Sequence, residues 1–173
     1  MGAIYPQRNF STPLRAFSVI SRNVPHRLVV AGHNRWSTAD DLQTVKDLGL
    51  EDRVVFLGWV DHDDFPALYN LATCFVIPFL FESCSVALVE SMASGCPVVG
   101  SIAGGNPEVV QDAALLMDPM DEAELANPMR RVIGDADLRG ELRRKGLERA
   151  KHFGWDKAAA STLKLLEELH RGE

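Results

Sequence analysis

Cysteine is scarce in this chain: three residues in 173, Cys74, Cys84 and Cys96. Their number is odd and their spacing fits no metal-binding knuckle, so neither a disulfide framework nor a zinc site is expected. Positive charge is also short. Eighteen lysines and arginines face 24 aspartates and glutamates, a formal net charge of −6. That balance argues against a nucleic-acid or anionic-membrane partner. It does not argue against a nucleotide, which is held by local charge and helix ends. No apolar run approaches the ~18 residues of a membrane span. No signal peptide opens the chain, and reduced thiols then point to the cytoplasm. Repeats and low-complexity linkers are missing too. What remains, 46% hydrophobic and 24% charged, is the composition of a globular domain. A length of 173 residues suits one domain with a sizeable core.

Short apolar runs alternate with helix-length segments. Residues 27–31, 53–57, 73–77, 98–100 and 114–117 read as buried strands. Residues 1–8 read as the end of a further strand and its loop, and so abrupt an opening is expected of a piece of a longer protein. Helices are expected at 12–22, 37–48, 61–70 and 85–94, then at 121–133, 137–152 and 155–169. Thr12 and Ser37 are the expected N-caps of the first two, with Pro13 at the first helical position. This alternation predicts a Rossmann-like, doubly wound α/β fold on a parallel sheet of about six strands. Right-handed crossovers place the loops that follow the strands along one edge. Ligands of open parallel sheets bind at that edge.

The densest signal is residues 78–110, PFLFESCSVALVESMASGCPVVGSIAGGNPEVV. Glu82 stands in the loop after a strand, and Glu90 stands in the helix that follows. Gly95-Cys96-Pro97 ends that helix before the next strand. Free amides at a helix start favour an anion such as a phosphate. An ionised carboxylate accepts from two vicinal hydroxyls, which suits ribose and sugars.

This stretch resembles the donor-binding motif of the family 4 retaining glycosyltransferases (group 1, GT-B fold). Glu82, Glu90, Met92, Ala93, Gly95, Pro97, Val98 and Val99 stand in the motif's places, followed by Gly104-Gly105-Asn106-Pro107-Glu108. The resemblance runs over nearly the whole chain but covers only the family's C-terminal half. It implies a single nucleotide-sugar-binding domain over 1–173, the C-terminal half of a GT-B fold. Its last helix, at 154–173, would cross back to a missing N-terminal acceptor domain. It implies transfer of a hexosyl group from a nucleoside-diphosphate sugar to an acceptor with retention, and an isolated chain that is inactive.

The resemblance also implies roles. Glu90 binds the ribose hydroxyls and Glu82 the hydroxyls of the transferred sugar. Ser83, Cys84, Ser85 and Val86 offer backbone amides to the diphosphate and sugar, and Gly104 and Gly105 lie at the same edge. Arg8 falls where the family has a lysine of its diphosphate clamp, while Gln7 stands where some members have arginine, so half the clamp's charge is missing. Cys84 replaces a usual aromatic, which bears on sugar identity. No cofactor or metal is implied.

Plainer readings stand beside these. Glu90 alone is an ordinary helix glutamate, Glu82 a helix-dipole partner, and Gly104-Gly105 a turn. Asp61-His62-Asp63 contains the Asp-x-Asp metal motif of a different glycosyltransferase fold, but it precedes a short helix, so capping accounts for it better. Trp59 and Val60 flank a base or pack, and His33 lines the cleft or sits in a surface loop. The rivals are a GT-B-type nucleotide-sugar epimerase and a stand-alone, non-catalytic nucleotide-sugar-binding or assembly module.

Overall fold

A computed structural model of the chain describes residues 9–32 and 38–171. The expected first strand and Arg8 lie outside the described residues, as do His33 and Ser37. Five strands are described: β1 (Leu28–Ala31), β2 (Val54–Gly58), β3 (Phe75–Ile77), β4 (Val98–Ser101) and β5 (Ala114–Met117). Eight helices accompany them: α1 (Ser11–Ser21), α2 (Thr38–Asp47), α3 (Phe65–Leu71), α4 (Val86–Ala93), α5 (Asn106–Val110), α6 (Glu122–Gly134), α7 (Ala136–Ala150) and α8 (Trp155–Arg171). A 3-10 turn at His62–Asp64 leads into α3.

Among the described residues all the pairings are parallel, but the strands form two ladders, β1–β2 and β3–β4–β5, where one sheet was expected. Both ladders run the same way. His26 and Thr73, just before β1 and β3, meet at 3.0 Å. At the other end, Asn9 donates to the carbonyls of Pro78 and Pro119, just beyond β3 and β5. Residues of β1 and β3 line one apolar cavity of about 660 Å³. Among the described residues no strand bridges that space, which is why the ladders stay apart.

In the β3–β4–β5 ladder the central strand β4 is buried on both faces, and β3 and β5 are mostly half-buried. Val99 belongs to a core built with α1, α6 and Leu142 of α7. Its neighbour Val98 belongs to a second core with Leu88 and Met92 of α4 and Val109 and Val110. The alternation is the strand period of two, and it explains why β4 reads as a continuous apolar run. Burying side chains such as Leu88 and Met92, each 0% exposed, contributes about 1.5–3 kcal/mol apiece. α4 is thereby fixed against the sheet, with its N-terminus at the strands' carboxyl edge.

Two local expectations are corrected. α1 begins at Ser11, so Thr12 sits inside the first turn and its hydroxyl donates to Asn9 Oδ1 at 2.8 Å. Neither Asp61 nor Asp64 makes a side-chain cap to the segment it precedes. Asp61 instead accepts from Trp59 Nε1 at 3.2 Å, so its carboxylate is engaged by the indole rather than by the turn. Among the described residues no helix is long and apolar enough to cross a membrane.

Candidate donor site

The loop after β3 and the loop after β4 clasp each other at the carboxyl edge. The Gly105 amide donates to the Glu82 carbonyl at 2.8 Å. A methyl group at Gly104 would overlap the Glu82 carbonyl, and one at Gly105 the Ser83 carbonyl. Gly104 also sits at φ 62°, where side chains are disfavoured. Both glycines are therefore required by the close approach of the two loops. Ser101 is fully buried, and its hydroxyl accepts from the Ala103 amide at 2.9 Å, turning the chain at the end of β4.

Ser85 is the buried N-cap residue of α4, in extended conformation, and its side chain makes no capping bond. The backbone of 82–85 thus leads directly into the helix start. Val86, the first helical residue, is exposed there. Glu90 follows one turn further, about 6 Å along the axis. The structure brings Glu82, Ser83, Gly104 and Gly105 into contact and carries Ser85, Val86 and Glu90 on the adjoining helix. Among the described residues no hydrogen bond joins Glu82's carboxylate to Glu90's.

Glu90 has a partner that sequence reasoning missed. His62 Nε2 lies 2.9 Å from Glu90 Oε1. The only signal in the sequence is an imidazole in the loop after β2, at the same sheet edge. Tyr69 on α3 donates its hydroxyl to the Ala87 carbonyl at 3.2 Å. Burial, and secondarily the Glu90 charge, pushes the Tyr69 phenol well above its ordinary range. The three cysteines differ. Burial pushes the Cys74 and Cys96 thiols up to about 12, whereas Cys84 is exposed beside Ser83.

Residues 1–135 match the family described as glycosyl transferases group 1. The chain belongs to that family. It is 30% identical over 165 residues to an O-antigen chain mannosyltransferase B of Escherichia coli, a match covering 94% of this chain and 43% of the relative. In structure it resembles a sucrose-phosphate synthase of Thermosynechococcus elongatus, with a TM-score of 0.87 and 26% identity over 99% of this chain and 45% of that one. It also resembles the crystal structure of the C-terminal domain of a group 1 glycosyltransferase, LpcC, of Francisella tularensis. There the TM-score is 0.79 and the identity 25%, over 88% of this chain and 82% of that one. The chain therefore spans under half the length of the mannosyltransferase and has the α/β architecture of one half of a GT-B glycosyltransferase.

Proposed function

We propose that this group 1 domain is the donor half of a hexosyltransferase that moves a sugar from a nucleoside diphosphate to an acceptor with retention. The observation that carries the reading is the clasp between the Glu82 loop and Gly104-Gly105, with Glu90 one turn along α4 at the same edge. Glu90 takes the ribose hydroxyls and Glu82 the hydroxyls of the transferred sugar. The start of α4 faces the diphosphate, whose negative charge grows as it leaves. Fixed amides at that point stabilise the growing charge without rearranging. Arg8, which lies outside the described residues, supplies a cation to the same group. The amides of 83–86 and the carboxylates hold the donor in one orientation, which lowers the entropic part of the barrier.

No divalent metal is required in this reading, because a helix start and a cation offset the charge. The acceptor is held by a second domain, against which the apolar face of α8 packs. The test is a transfer assay on the full-length protein with and without EDTA, reading the product's anomeric configuration by NMR. Retained configuration and indifference to EDTA are expected. Inversion overturns the retaining mechanism, and loss of activity restored by Mg²⁺ overturns the metal-free one.

A further inference from the structure

The loop after β2 touches α4 through the hydrogen-bonded pair His62 and Glu90, separated by 28 positions in sequence. The pair is asymmetric: the His62 side chain is 76% exposed and that of Glu90 28%. The Phe65 ring lies 5.4 Å from the imidazole and supports it. We propose that His62 is a positioning residue for Glu90, ordering the carboxylate through Oε1 before a donor arrives. The inference rests on the reading of Glu90 as the ribose ligand.

A glutamate has many rotamers, and fixing one is unfavourable. With His62 in place, part of that ordering precedes binding. A carboxylate offers about four acceptor positions, and His62 occupies one. The remainder suffice for two vicinal hydroxyls. The imidazole can donate from Nε2 when neutral and donates more strongly when charged.

Calorimetric titration of the chain with UDP-glucose, GDP-mannose and ADP-glucose selects the tightest of the three. His62→Ala is expected to weaken binding about threefold to tenfold. His62→Gln, which keeps an N–H donor, restores most of the affinity. An unchanged melting temperature confirms that both variants fold. Unchanged affinity in His62→Ala, or no rescue by His62→Gln, overturns the inference, and loss of binding in Glu90→Ala then shows that the site itself stands. Equal binding by Glu90→Ala and the parent, or no binding of any of the three sugars, overturns the proposed function and this inference with it.

Discussion

At the scale of single residues, the site depends on backbone proximity as much as on side-chain chemistry. Gly105 is the clearest case, because its α-carbon leaves no space before the Ser83 carbonyl. Gly105→Ala is expected to force the two loops apart and to reduce nucleotide-sugar binding by tenfold or more, while the cores on either side of β4 remain intact. Calorimetry and a thermal melt together separate the two effects, and undiminished binding would count against the clasp. Cys84 gives an independent reading of the same loop. With Cys96 buried, Cys74 half-buried and both thiols pushed up to about 12, a mild alkylating agent near neutral pH should label Cys84 first. A bound donor should slow that labelling. Mass spectrometry decides it, and labelling of Cys74 or Cys96 first would contradict the burial pattern.

At the scale of elements, α4 and α7 hold the site's scaffold. α7 carries two glycines with different surroundings. Gly146 lies against Met92, with space for a methyl group only at contact distance, while Gly140 faces open space. Gly140→Ala is therefore expected to stabilise the chain by about 0.5–1 kcal/mol through helix propensity alone. Met92→Ala removes a fully buried side chain and is expected to cost about 2–5 kcal/mol. Chemical denaturation measures both, and a destabilised Gly140→Ala would mean that the helix packs there against something else.

Alkali probes the same layer. The Cys74 and Cys96 thiols have folded-state values raised above those of the unfolded chain, so their contribution is present below the unfolded value. It is lost as pH rises towards about 12. Stability should fall over that interval, and Cys96→Ser should make the fall shallower.

At the scale of the whole molecule, much of the architecture is legible from local pattern. All five described strands overlap the apolar runs that predict them, although only β4 is buried throughout and Val29 of β1 and Leu57 of β2 are exposed. α5 is not legible: five residues opened by a proline-bearing turn carry too little periodicity. The division into two ladders is not legible either, since hydrogen bonding between strands is absent from composition. The His62–Glu90 contact is equally hidden, because it joins positions that only the fold brings together. In the site, the Glu82, Glu90 and Gly104-Gly105 pattern is legible as a motif. That the glycines are there for the loops to touch is visible only in three dimensions.

The terminal helix belongs to this scale too. None of the described residues of α8 is buried, Trp155 is 82% exposed, and Leu163, Leu166 and Leu169 are exposed along it. Such a stripe gains stability only by packing. Amides of α8 should exchange faster than those of α4 in this chain and slow when the second domain is joined. Equal protection in both contexts would contradict a docking role.

The central claim is that Glu90 and the clasped loops bind a nucleoside-diphosphate sugar. Isothermal titration of this chain with UDP-, GDP- and ADP-sugars, compared with Glu90→Ala, tests it most directly. A hydrogen bond to a charged group contributes about 1.5–3 kcal/mol, so the variant should bind roughly ten- to a hundredfold more weakly. One base should be preferred, and the melting temperature should be unchanged. Equal affinity in parent and variant, or no binding of any nucleotide sugar, would contradict the account.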